Sequence, residues 1–297
     1  MSNSEEKDIK DDKKAFSADV EKNKIRTDTI LIGDPHLTDL RIETENTIKV
    51  LDMLKKHTDK RIFVKDIRKF ANDPTYSGAE SYLGAVDGRS DSIIVYLNVS
   101  KLHTCEATFV HEILHQILKY EGFPDIVIYN DIALDLPPQI QMVLPKLQSF
   151  FSSTIEHPEI FKRMASDFNL DLLPYYEVHL QQKIDRFKRR LDKDFKVRAE
   201  YYFYAQQDIL DGLEYYSYPP KYREEILRIF KECSPDACAS CSFLYDAKIR
   251  KIGFNTPALS YESAKIIKDH IIKYGEKKST GIFNKMWEAL EIKKPSS

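Results

Sequence analysis

Apolar positions in this chain follow two periods, one after the other. In the first half, short β-branched or alternating runs mark strands. They are Thr29-Ile30-Leu31-Ile32, Arg61-Ile62-Phe63-Val64, Tyr82-Leu83-Gly84-Ala85-Val86 and Ser92-Ile93-Ile94-Val95-Tyr96-Leu97. A helical period interrupts them at 45–57, where Ile48, Leu51 and Leu54 fall on one side. A second helix is expected at about 104–121, and Gly122-Phe123-Pro124 closes it with a C-terminal glycine and a following proline. After about 137 the pattern is helical throughout. A helix is expected at 138–156, and Leu180, Ile184, Phe187, Leu191 and Phe195 put one long amphipathic region over 174–215. Shorter helices are expected at 219–233, 260–275 and 281–291. The predicted class is therefore α+β: a small mixed sheet with its helices over 26–136, then a mainly helical part over 137–297. Residues 1–25 are rich in Lys, Asp, Glu and Ser and are expected to be a disordered tail.

The helix at 104–121 carries the chain's most specific chemistry, His111-Glu112-Ile113-Leu114-His115. Positions i and i+4 share a face one turn apart, so both imidazoles can reach one metal ion. Glu112 stands beside the first of them, where a carboxylate can serve as base toward a reacting water. The rest of the helix is apolar nearly all round, with rows Phe109, Ile113, Ile117 and Val110, Leu114, Leu118. Two histidines and a glutamate are costly in such surroundings unless something satisfies them, and a zinc ion would.

With the strand at 92–97 ahead of it, the HExxH segment makes residues 82–122 resemble the core of the zincin metallopeptidases. The resemblance implies a zinc-dependent peptidase, with His111 and His115 as ligands and Glu112 as catalytic base. It also implies that the strand before the helix lies at the sheet edge and pairs with an extended peptide or protein substrate, with an ordinary core strand as the alternative. The metzincin subgroup would need Gly at 118 and His at 121, and this chain has Leu118 and Glu121. The gluzincin subgroup takes a Glu from a later helix. The segment Thr154-Ile155-Glu156-His157-Pro158 makes Glu156 the expected third ligand, with His157 the alternative and Asp125, Asp131 or Asp135 behind them. Adjacent helical residues point about 100° apart, so Glu156 and His157 are not both expected on one ion. Pro158 is expected to kink the chain there.

Composition narrows the partners. A net charge of −2 gives no electrostatic case for nucleic acid, and no apolar run is long enough to span a membrane. The first residues lack a hydrophobic signal region, so the expected location is the cytoplasm. The expected set is one Zn²⁺ and a peptide or protein substrate, without nucleic acid or membrane. A non-catalytic zincin-like binding or regulatory module is the competing reading. Cys233, Cys238 and Cys241 lack a local fourth ligand for a second zinc site and read as reduced structural thiols, while Cys105 is expected to point away from His111.

Three further features lead less far. Gly33-Asp34-Pro35-His36 after a strand resembles the first metal motif of calcineurin-like phosphoesterases, but no Gly-Asn-His occurs in the chain. Tyr201-Tyr202-Phe203-Tyr204 reads as helix core, although one of these tyrosines, His157 or His179 could stabilise an oxyanion. His103 and His270 read as surface or capping residues.

Overall fold

A computed structural model describes residues 44–67, 83–191, 198–277 and 281–294. The strand expected at 29–32, the Gly33–His36 motif and the 1–25 tail lie outside the described residues. The chain forms two compact units, one up to Ile117 and one from Leu118 onward. The class is α+β, mainly helical with small sheets, as the two periods predict.

Among the described residues the first unit begins with α1 (Glu45–Lys55), whose N-terminus is a capping box. The Thr47 amide donates to Thr44 Oγ1 at 3.2 Å, and the Thr44 amide donates to Thr47 Oγ1 at 2.9 Å. Strands β1 (Arg61–Asp66), β2 (Gly84–Gly88) and β3 (Ser92–Leu97) make a sheet of order β1-β3-β2. β1 runs parallel to β3 with Val64 opposite Val95, and β2 runs antiparallel to it with Val86 opposite the same valine. This corrects the edge position implied for 92–97: that strand is central, and β1 and β2 are the outer ones among the described residues. The reason is in its composition. All six β3 residues are buried, a run apolar on both faces, which a central strand covered on both sides requires and an edge strand does not. The chain leaves β3 at Asn98, whose Oδ1 accepts from the Ser100 amide and hydroxyl, and enters α2 (Leu102–Tyr120).

α2 ends as expected at Gly122, where φ is +84°. The Phe123 amide donates to the Leu118 carbonyl and the Gly122 amide to the Lys119 carbonyl, the paired bonds of a Schellman cap.

In the second unit, β4 (Asp125–Ile128) pairs antiparallel with β5 (Leu290–Lys293). Neither strand is expected from the sequence, where 281–291 reads as helix to its end. Each has only four residues, too few for a period to show. The helices between them are α3 (Asn130–Leu134), α4 (Pro138–Gln141), α5 (Leu144–Ser166), α6 (Leu173–Leu191), α7 (Arg198–Tyr215), α8 (Pro220–Cys233), α9 (Pro235–Leu244), α10 (Arg250–Ile252), α11 (Pro257–Lys277) and α12 (Gly281–Glu288). The region 174–215 is thus described as two helices, α6 and α7, with 192–197 outside the described residues. α5 and α7 pack together at the core. Thr154 Oγ1 donates to the Leu210 carbonyl at 3.3 Å, and the fully buried Trp287 donates from Nε1 to Gln206 Oε1 at 2.8 Å. α7 meets α9 at Gly212. A Cβ there would lie 2.6 Å from a Phe230 ring carbon and 2.7 Å from Cys241 Sγ, so only glycine permits the approach.

Candidate metal centre

α2 places the HExxH residues as its sequence requires. His111 and Glu112 are buried, His115 is half-buried, and the apolar rows Phe109, Val110, Ile113, Leu114, Ile117 and Leu118 lie at 0–1% exposure. The two imidazoles meet edge to face, with centroids 4.7 Å apart and Nε2 atoms 3.0 Å apart. One turn on either side of Glu112 stand Thr108 and Gln116, and this row underlies the outer strand. A Cβ on Gly84 would lie 2.5 Å from Thr108 Cγ2 and 3.5 Å from Glu112 Cγ, and one on Gly88 would lie 2.7 Å from Gln116 Oε1. The glycines at both ends of β2 therefore let its backbone lie against the Glu112 face of α2.

On α5, Glu156 and His157 are both buried. The helix runs through Pro158 without ending, so the kink expected there does not terminate it. His157 packs against the Phe161 ring at 5.1 Å between centroids, and its Nδ1 lies 3.2 Å from Glu214 Oε1 on α7. Glu214 is itself engaged: the Tyr218 hydroxyl donates to its Oε1 at 3.1 Å, and Lys183 Nζ lies 3.8 Å from its Oε2 while donating to Asp211 Oδ1 at 2.8 Å. Burial, with the Glu214 charge second, pushes the Tyr218 hydroxyl well above the ordinary tyrosine value, so it stays a donor.

Among the described residues, His111, His115 and His157 form a group that could hold a metal ion, each offering one ring nitrogen, with these atoms all within 4.8 Å of one another. Nitrogens on a tetrahedral zinc, bound at about 2.0–2.1 Å, stand about 3.3 Å apart. The 3.0 Å pair and the 4.8 Å outer limit bracket that spacing. A shared proton alone would satisfy two imidazoles at 3.0 Å. Bringing in a third nitrogen donor is what a metal needs and a proton does not.

The group takes in His157, the alternative to Glu156, and does not include Glu156. Asp125, Asp131 and Asp135 are exposed and also outside it. Cys105 turns away, its Sγ lying 3.7 Å from the Lys101 carbonyl and 3.8 Å from that of Asn98. Glu121, where the metzincin pattern has histidine, instead receives both terminal nitrogens of Arg163 at 2.9 and 2.6 Å. His103 is exposed, and the half-buried His270 lies 2.7 Å from Ser240 Oγ. Tyr201–Phe203 are helical, but their side chains and that of His179 lie outside the described residues. No disulfide joins Cys105, Cys233, Cys238 and Cys241. Sequence reading missed Glu214, Lys183 and Tyr218. The signal was present: Asp208, Asp211 and Glu214 recur every three residues in a helix whose other positions are largely apolar, and all three are buried.

No helix among the described residues is long and apolar enough to cross a membrane. Comparison of the chain with models of protein families, with curated proteins and with solved structures returns no match.

Proposed function

We propose that the chain is a zinc-dependent hydrolase of peptide bonds, with His111, His115 and His157 as protein ligands and Glu112 as general base. The observation that carries this reading is the convergence of three ring nitrogens within 4.8 Å at a helix whose first ligand is followed directly by a buried glutamate. Three histidines and an open fourth position are a donor set that catalytic zinc uses, and a purely structural site has no need of the carboxylate. Zinc held there would polarise the scissile carbonyl and make a water acidic enough to react near neutral pH. Glu112 accepts the proton as the water attacks and delivers it to the leaving amine. Of the two outer strands, β2 is the one against the Glu112 face of α2, and it would supply the substrate edge that the resemblance implies for 92–97. An extended peptide adding to β2 would run along the strand that rests on Thr108, Glu112 and Gln116.

A non-catalytic metal-binding module is the second reading. The observation in its favour is the low exposure of His111 and Glu112, 3% and 8%. Metal analysis and Glu112→Gln separate the two. The purified protein should contain about one zinc per chain and cleave members of a peptide library until a chelator is added. Glu112→Gln should keep its zinc and melting temperature and lose about 10²-fold or more in rate. A variant with undiminished cleavage, or a wild-type protein that carries zinc and cleaves nothing in the library, would overturn the peptidase reading. His157→Ala should lose zinc, whereas Glu156→Gln should retain it. The reverse result would restore the glutamate ligand.

A further inference from the structure

Three features outside the HExxH helix are candidates for an unassigned role. They are the cleft of about 310 Å³ lined by Tyr129, Tyr261, Lys265, Lys268 and acidic neighbours, the α9 thiols Cys238 and Cys241, and the buried polar group behind His157. In the cleft, Lys268 donates to the Leu290 carbonyl at 2.7 Å and so ties α11 to β5, a structural use. Cys241 is packed against Gly212 and serves the α7–α9 contact. The third group has neither explanation. It concentrates a histidine, two carboxylates, an ammonium and a phenol in the interior of a helical unit, where each costs free energy to bury.

We infer that Glu214 is a positioning residue for the metal centre, holding His157 with Nδ1 turned toward the carboxylate and Nε2 presented as the donor atom. The inference rests on the metal reading above. Nδ1 stands 3.2 Å from Glu214 Oε1, a close approach short of hydrogen-bond alignment, between side chains that are 10% and 5% exposed. An imidazole that presents one nitrogen to a metal carries its proton on the other, and a carboxylate facing that N–H fixes the tautomer, orients the ring and strengthens the donor. Glu214 can do this because it is held in turn. Tyr218, in the turn just past the end of α7, donates to the same oxygen that faces His157, at 3.1 Å. Lys183 from α6 approaches the other oxygen at 3.8 Å and is itself anchored to Asp211 at 2.8 Å. Phe161 closes the opposite side of the group. Its ring lies 5.1 Å from His157 and 5.8 Å from Tyr218, between centroids, which limits the rotation left to the imidazole.

The test is zinc affinity, measured by competition with a chromophoric chelator on the full chain, with the absorption bands of the cobalt-substituted protein as a second readout. Glu214→Gln keeps the shape and removes the charge. It should bind zinc about 10- to 100-fold more weakly and shift the cobalt bands, while the metal-free melting temperature changes little. Tyr218→Phe, which deletes only the hydroxyl that steadies Glu214, should weaken zinc in the same direction by a smaller factor. A merely structural Glu214 would lower the metal-free melting temperature and leave affinity and cobalt bands at wild-type values. With His157→Ala losing zinc alongside, that result overturns the inference alone. If the wild type binds no zinc, or His157→Ala binds it as the wild type does, the metal reading itself fails and this inference with it.

Discussion

The general-base role proposed for Glu112 needs its carboxylate held in place, and a residue off the helix, Gly84, bounds the space beside its side chain. Gly84 opens β2 directly over Thr108 and Glu112, and a methyl group there would meet Thr108 Cγ2 at 2.5 Å and the Tyr96 carbonyl oxygen at 2.8 Å. Thr108 is 1% exposed and the carbonyl belongs to the central strand, so neither can yield cheaply. Gly84→Ala should therefore destabilise the first unit by about 1–3 kcal/mol, the usual cost of overpacking. Activity should fall further than stability, because the strand that lifts away is the one resting on Glu112. Gly281→Ala is the matched control: nothing lies within 4 Å of the added methyl, and alanine suits a helix better than glycine. Denaturant unfolding of the two variants checks this, and equal midpoints would show that the β2–α2 contact is soft.

At the scale of elements, α5 runs from Leu144 to Ser166 with Pro158 in its interior. Proline has no N–H for the Thr154 carbonyl four residues earlier and its ring crowds that turn, a cost of about 3 kcal/mol in a helix interior. Pro158→Ala should raise the unfolding midpoint by a fraction of that amount, and thermal denaturation of the metal-free protein measures it. A lower midpoint would mean that the proline-shaped turn is itself needed for α5 to pack. The same proline marks where sequence reading weakens. Local rules predicted an interruption at His157, and the burial of Phe151, Ile155, Ile160, Phe161 and Met164 along one helix overrode them. Elements with a long, clear period were legible: α2 and its glycine stop, the start of α1, the Ser92–Leu97 strand. The four-residue strands β4 and β5 were not, because they are specified by each other across the chain and not by local pattern. For 92–97 the resemblance implies an edge, with an ordinary core strand as the alternative, and the unbroken apolar run goes with the second, two covered faces. Of the candidate centre, the i,i+4 histidines could be read from spacing, while Glu156 and His157 entered as alternatives through the resemblance. Which of those neighbours enters the group depends on the rotation of α5 about its axis, which spacing does not encode.

For the molecule as a whole, the buried phenols and thiols of the second unit set a limit on the alkaline side. Burial pushes Tyr218 and Cys241 well above their ordinary values, with the Glu214 charge adding to the first and Cys238 to the second. Tyr176 is raised by the same two causes as Tyr218, and the half-buried Tyr216 and the buried Cys238 move in the same direction. A raised group keeps its proton in the folded protein over a range in which the unfolded chain has lost it. Its stabilising contribution is therefore complete below the ordinary value and is lost as pH climbs through the folded value. The loss begins near 9.0 for the thiols and 10.0 for the tyrosines. Lys268 opposes this, since burial lowers its value and deprotonation then favours the fold, but it is one half-buried group against two fully buried ones and their neighbours. Each group contributes up to about 1.4 kcal/mol per pH unit inside its window. The midpoint should therefore fall between about pH 9 and pH 11. The measurement is calorimetry or circular dichroism across that range, with chelator present throughout so that metal loss does not contribute. A midpoint that stays level would show that these phenols and thiols reach solvent before the unit unfolds, and that the packing around Tyr218 and Glu214 is looser than their burial implies.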